Sequence, residues 1–258
     1  MRLLEVNKLT KNFGGLSAVS NVSIHLDKNE LVGLIGPNGA GKTTFFNLLT
    51  GVYVPTEGEI KIMTDKGEKV LNGVKPDKIS AYGLARTFQN IRLFKDQSVI
   101  ENVMVAMHRD QSDSLWSTLL RTKKYYETEE KLRAQALDLL AIFDLDSLAD
   151  EKARNLAYGQ QRRLEIVRAL ATKPKILFLD EPAAGMNPNE TAELTELIEK
   201  IRREFDLTVV LIEHDMSLVM DICQRIYVLE YGRLIAHGTP EEIQSNPEVI
   251  KAYLGGDI

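Results

Sequence analysis

The chain has a single cysteine, Cys223, so no disulfide framework can brace it. A small buried apolar role fits that thiol better than a reactive one. No run nears the roughly 18 apolar residues that a membrane-spanning helix needs. The first residues, Met1–Phe13, carry Arg2 and Lys8 but no apolar stretch of signal-peptide length. Both absences lead us to expect a soluble, cytoplasmic protein. If it works at a membrane, a partner must hold it there. Positive charge is not in excess either. Lys and Arg number 32 against 37 Asp and Glu, a net charge of −5. A general nucleic-acid binder needs a basic face, so nucleic acid is not an expected partner. No repeat and no low-complexity linker interrupts the chain. What remains is ordinary globular composition, 44% hydrophobic and 27% charged over 258 residues, with length for a large core.

Against that background one stretch stands out: Gly36-Pro37-Asn38-Gly39-Ala40-Gly41-Lys42-Thr43-Thr44. The apolar run Leu31–Ile35 before it reads as a buried strand. Phe45–Leu49 after it reads as a helix ending at Gly51. Strand, glycine-rich loop and helix in that order are the setting of a phosphate-binding loop. Glycines let backbone N–H groups approach an anion closely. The helix start adds unsatisfied N–H groups and a positive dipole end. Lys42 supplies a mobile charge for β- and γ-phosphates, and the Thr43 hydroxyl suits Mg²⁺.

Around this loop the chain reads as α/β. Leu3–Leu9 alternates as a half-buried strand, and so do Val22, Ile24 and Leu26. Glu59–Met63 and Glu68–Leu71 form a strand pair joined through Asp65-Lys66-Gly67. From about Asn90 to Ala153 turn signals thin out and helix formers take over. Lys123–Leu140 places Leu132, Ala136, Leu139 and Leu140 on one stripe. Arg121, Lys123 and Lys124 fit a solvated face. With Trp116 they are also candidates for touching a membrane partner or lipid head groups. Gln160–Ala171 is helical by composition. Lys175–Leu179 and Leu207–Glu213 read as buried parallel strands flanking a helix with Ala192, Leu194, Leu197, Ile198 and Ile201 at helical spacing. Asn187 or Asn189 caps that helix, with Pro188 in its first turn. Ile226–Leu229 is a further strand. Thr239-Pro240-Glu241-Glu242 is a capping box, and Asn246-Pro247-Glu248 starts a last short helix.

Chemistry gathers at two strand ends. Ile176-Leu177-Phe178-Leu179 runs into Asp180-Glu181. In a parallel sheet the C-terminal strand ends face the ligand crevice. Asp180 there can hold Mg²⁺ beside the phosphates. Glu181 can orient a water against the γ-phosphorus and take its proton, worth about 10²–10⁴ in rate. His214 follows the strand Val209–Ile212 and reaches the same edge, where it can donate to the γ-phosphate or hold the attacking water.

The full set of motifs resembles a known family. Gly36–Thr43, Gln89 after Ala85-Arg86-Thr87-Phe88, Leu156-Ala157-Tyr158-Gly159-Gln160-Gln161, Asp180-Glu181-Pro182 and Ile212-Glu213-His214-Asp215 are spaced like those of an ABC transporter ATP-binding subunit. Ala85–Phe94 and Asn155–Ile166 look most like an ATPase subunit of the branched-chain amino-acid importers. The resemblance implies a P-loop, RecA-like ABC ATPase core with a mixed N-terminal β-subdomain and an inserted helical subdomain. As one ABC ATPase domain over 1–258, the core would be about 1–89 and 160–258, and the helical part about 90–159. It implies ATP and Mg²⁺, with Thr43, Gln89 and Asp180 toward the metal. Phe13 stands where the family stacks an aromatic on adenine. The implied partners are a second ATPase subunit, two integral membrane permease subunits and a solute-binding protein, with the chain peripheral on the cytoplasmic side of the membrane. Each ATP would lie between one subunit's phosphate loop and the other's signature, here Leu156, Ala157, Tyr158, Gly159 and Gln160.

Two departures stand out. The usual signature is Leu-Ser-Gly-Gly-Gln. Ala157 has no hydroxyl to give the γ-phosphate, a loss of about 1.5–3 kcal/mol. Tyr158 constrains backbone where the family has glycine. Asn187 stands where the family often has Asp. The first departure points to a different chain as dimer partner, one with an intact signature, while a homodimer stays open. Other readings weighed are a soluble ABC-type ATPase acting on ribosomes or DNA, a P-loop kinase or GTPase, a nucleotide-binding regulatory subunit, and an importer ATPase for another amino acid, amide or small solute. One phosphate loop, no long extension and net negative charge count against the first. The signature and His214 count against the second.

Overall fold

A computed structural model describes residues 1–108 and 123–254. They divide into two compact units, Met1–Arg86 with Lys175–Ile258, and Thr87–Pro174.

The first unit holds two sheets. Strands β1 (Arg2–Phe13), β2 (Leu16–Asp27), β4 (Glu57–Thr64) and β5 (Gly67–Val70) form an antiparallel sheet in the order β2-β1-β4-β5. Its inward side chains alternate as a one-faced sheet demands. Val6 lies between Ile24 and Ile60, and Leu4 between Leu26 and Ile62, all buried.

The second sheet runs β10-β9-β3-β8-β7-β6, with β3 (Leu31–Ile35), β6 (Leu84–Arg86), β7 (Ile176–Asp180), β8 (Thr208–Ile212), β9 (Arg225–Glu230) and β10 (Arg233–Gly238). All its pairings are parallel except β9–β10. Every residue of β3, β7 and β8 is buried, which is why these strands are apolar instead of alternating, apart from Thr208 at the start of β8 and Asp180 at the end of β7. Asp180 pairs with Ile212, and Leu34 pairs with Ile212 from the other side. The C-terminal ends of β3, β8 and β7 therefore share one edge.

Helix α1 (Lys42–Leu49) leaves β3 and buries Phe45 and Phe46, the latter edge-on to Phe178 at 5.2 Å. Short α2 (Pro76–Ala81) precedes β6. Helix α6 (Pro188–Glu204) crosses from β7 to β8 and buries Leu194, Ile198 and Ile201, while Ala192 stays exposed. Asn187 is its cap: Oδ1 accepts from Asn189 N–H and Glu190 N–H, both at 3.0 Å. Asn187 thus does locally what an aspartate would. Helices α7 (Met216–Ile222), α8 (Pro240–Gln244) and α9 (Pro247–Leu254) complete the unit.

The second unit is helical: α3 (Val99–Met107), α4 (Lys123–Ile142) and α5 (Tyr158–Leu170), with two short 3₁₀ turns at Asp146–Leu148 and Ala153–Asn155. Leu132, Ala136 and Leu140 of α4 are buried and Leu139 is half-buried. Helix α5 packs on α3 and α4. This compact unit runs from Thr87 to Pro174, where the resemblance implied a helical part of about 90–159. Trp116 and Arg121 lie outside the described residues, as do the side chains of Lys123 and Lys124. Among the described residues no helix is long and apolar enough to cross a membrane.

Candidate active site

The turn from β3 into α1 needs glycine at two places. Gly36 has φ +148, and a Cβ there would lie 2.0 Å from the Leu229 carbonyl oxygen. Gly41, the residue before α1, has φ +99, and a Cβ would meet the Ala18 carbonyl at 2.5 Å. The loop is thus pressed against the β9–β10 turn and against β2. Gly232 N–H donates to Ala40 O at 3.0 Å, and Ser20 N–H donates to Gly232 O at 2.7 Å. Between the glycines, Asn38 and Gly39 are exposed and Pro37 is half-buried.

No side chain caps the start of α1, and no acidic residue sits in its first turn. Those N–H donors are suited to an anion. Lys42 is 6% exposed, and its Nζ donates to Gly36 O at 2.6 Å and Pro37 O at 3.0 Å. Burial lowers its pKa, while the nearby Glu181 and Asp180 carboxylates oppose the shift. Thr43 is exposed and Thr44 half-buried in the same first turn. Phe13 lies at the end of β1, partly exposed and edge-on to Tyr53 at 5.2 Å, with Lys11 Nζ 5.0 Å over its ring.

At the end of β7, Asp180 is buried and its Oδ2 accepts from Arg86 Nη2 at 3.0 Å. Arg86 also donates to Asn47 Oδ1 at 2.7 Å and Thr50 Oγ1 at 3.1 Å, which ties the carboxylate to α1. Glu181 follows with φ +49, a left-handed backbone on a non-glycine residue. Its N–H donates to Ile212 O at 2.9 Å, so β8 holds the strained peptide. Strain of this kind persists only where its surroundings over-determine it, and it clusters at functional sites. Glu181 Oε1 lies 2.6 Å from His214 Nε2. The residues that sequence reading proposed separately as base and γ-phosphate contact are therefore direct partners.

Glu213 was not singled out from the sequence. It is buried, with Oε1 accepting from Ala183 N–H at 2.8 Å and Oε2 from His214 N–H at 3.1 Å. Burial raises its pKa against those backbone bonds. It fixes the segment after Glu181 to the segment bearing His214. Arg86 was missed in the same way. Both residues stand inside the quoted motifs, which was the only available signal. Among the described residues no group of three His, Cys, Asp or Glu side chains gathers to hold a metal. Mg²⁺ fits such a place nonetheless, since it commonly rests on one or two protein ligands plus phosphates and water.

In the second unit, Gln89 is exposed on an irregular stretch. The signature segment leads into α5, whose first residue is Tyr158. Leu156 is buried, and Ala157 and Tyr158 are exposed. Ala157 is the cap position without a capping oxygen, although Gln160 Oε1 accepts from Ala157 N–H at 3.0 Å. Tyr158 and Gly159 are absent from the positive-φ residues, so tyrosine is accommodated without backbone strain. The Gly159 N–H lies in an uncapped first turn, a second place suited to an anion.

A glycine-rich loop after β3, with Asp180 and Glu181 at the end of β7 and His214 after the intervening β8, is the layout of P-loop nucleoside triphosphatases. Comparisons with known proteins narrow the class. The family described as ABC transporter matches residues 19–184, and the family described as branched-chain amino acid ATP-binding cassette transporter matches residues 233–258. The chain belongs to the ABC transporter family and is an ATPase. It is 52% identical over 253 residues, 98% of each chain, to the high-affinity branched-chain amino acid transport ATP-binding protein LivG of Salmonella typhimurium. It is 49% identical over 253 residues, again 98% of each, to BraF of Pseudomonas aeruginosa, which bears the same description. The crystal structure of a nucleotide-free ATP-binding cassette from an ABC transporter superimposes with TM-score 0.84 at 31% identity, covering 99% of this chain and 100% of that one. The ADP conformation of an ATP-binding cassette matches equally well, with TM-score 0.84 and 31% identity over 99% of this chain and 100% of that one.

Proposed function

We propose that this chain hydrolyses ATP to energise a membrane importer of branched-chain amino acids. The cargo rests on one observation: 49–52% identity across 98% of the chain to proteins described by that transport. The ATP site rests on the shared edge of β3, β8 and β7.

Lys42 would exchange its bonds to Gly36 O and Pro37 O for β- and γ-phosphate oxygens, with the α1 N–H groups cradling the β-phosphate. Phe13 would stack on adenine. Thr43, Asp180 and Gln89 would hold Mg²⁺, which when bound neutralises charge between the β- and γ-phosphates. Arg86 keeps the Asp180 carboxylate turned to one orientation. Glu181 would orient the attacking water and accept its proton at a carboxylate oxygen. His214, bonded to that carboxylate, would report the γ-phosphate. Leu156–Gln160 would cover the γ-phosphate of an ATP held by the partner. The partner is a second ATPase chain with a hydroxyl where this one has Ala157. Two permease subunits anchor the pair on the cytoplasmic face of the membrane, fed by a solute-binding protein. ATP favours the closed pair over the open one, and its hydrolysis reverses that bias.

The test is co-purification with membrane and ATPase partners, followed by leucine uptake into vesicles. ATP-driven uptake that Glu181→Gln abolishes supports the reading. Uptake of a different amide or amino acid would redirect the cargo. Equal hydrolysis per site with and without the second ATPase would refute the mixed pair.

A further inference from the structure

The stretch from Thr87 to Gln97 has no strand ladder or helix of its own, so its backbone groups must bond elsewhere. Around Gln89 they bond to two side chains of α5. Glu165 Oε1 accepts from the N–H groups of Phe88 and Arg92, both at 3.3 Å. Arg162 Nη1 donates to Phe88 O at 2.7 Å, and Nη2 donates to Gln89 O at 3.4 Å. The two side chains also bond each other at 2.8 Å. Both are buried, Arg162 at 0% and Glu165 at 5% exposure. Arg168 adds a bond to Arg92 O, and the Arg92 guanidinium lies 4.1 Å over the Phe88 ring.

A buried ion pair contributes little to stability, because desolvation offsets its attraction. This one does something else. Its bonds grip the backbone on both sides of Gln89 and leave the Gln89 side chain exposed. Arg162 sits one turn into the helix that starts at the signature. We infer that Arg162 and Glu165 are positioning residues for Gln89, joining the Gln89 loop and the signature segment into one mechanical piece. A second subunit that displaces the signature then displaces Gln89 with it. This role rests on the proposed one for Gln89 at the triphosphate.

The test uses the full chain with its partner subunits. Glu165→Gln keeps the shape and removes the charge; Arg162→Met removes the donors. Because small misplacements cost about 10²-fold in rate, Glu165→Gln lowers hydrolysis by about ten- to a hundredfold. ATP affinity stays within about twofold, since the phosphate loop lies in the other unit. Adding Gln89→Ala to Glu165→Gln leaves the rate within about twofold of the slower single variant. Thermal unfolding checks the fold of each variant, and Glu165→Gln decides if Arg162→Met does not fold. Wild-type hydrolysis by Glu165→Gln overturns the inference, and so do effects that multiply in the double variant or fall equally on ATP affinity. A wild-type complex that does not hydrolyse ATP overturns the proposed function itself.

Discussion

Replacing Glu181 by alanine and, separately, by glycine removes the same carboxylate and the same contact to His214. The two variants differ in one respect. Position 181 sits at φ +49, where an L-residue crowds its Cβ against the backbone and glycine does not. That crowding costs about 1–2 kcal/mol. Glycine's larger unfolded-state entropy returns about 0.5–1 kcal/mol of it. Taking the middle of each range, the glycine variant is therefore more stable than the alanine variant by about 0.75 kcal/mol. In a chain of this size that is about 1–4 °C in melting temperature. Hydrolysis falls in both by about 10²–10⁴, or roughly 3–5 kcal/mol of barrier, because both lack the proposed base. Calorimetric melting and steady-state phosphate release on the two variants decide it. Equal melting temperatures would refute strain at position 181. Near wild-type phosphate release in either would refute Glu181 as the base.

Gly36→Ala drives a Cβ to 2.0 Å from the Leu229 carbonyl oxygen and destabilises the chain by about 3 kcal/mol, the upper end for overpacking, readable by urea unfolding. The pH dependence of stability isolates Lys42. Its folded pKa is lowered from the usual 10.5, so in that window the unfolded chain binds more protons and stability rises with pH. The wild type therefore gains on Lys42→Met as pH climbs toward 10.5, and a difference that does not change with pH contradicts the assignment. Ala157→Ser completes a capping box with Gln160 and stabilises α5 by about 1 kcal/mol, measured by thermal unfolding.

The parts legible in the sequence were those encoded locally. Strands β3, β7 and β8 are covered on both faces, so each shows as an unbroken apolar run. The phosphate loop is spelled by glycines whose backbone the turn requires. Asn187 and Thr239 announce their helices because a cap acts within three residues. Strand β6 is three residues long, too short to show a period. Ala192 has helical spacing but faces outward, which spacing alone cannot exclude. The supports of the site were hidden for a different reason. Arg86 meets Asp180 across 94 residues, and Arg162 meets Phe88 across 74. Folding makes these pairs, and no local pattern announces them. The contact between Glu181 and His214 is of the same kind: each was readable as a strand-end residue, but their 2.6 Å approach was not.

The central claim is that the loop ahead of α1 holds the triphosphate through Lys42. Isothermal calorimetry of Mg-ATP binding to the purified full chain addresses it directly, with Lys42→Ala alongside. The account predicts one nucleotide per chain in the wild type and a large loss of affinity in the variant. A folded wild-type chain that takes up no nucleotide, or a variant that binds as tightly as the wild type, would contradict it.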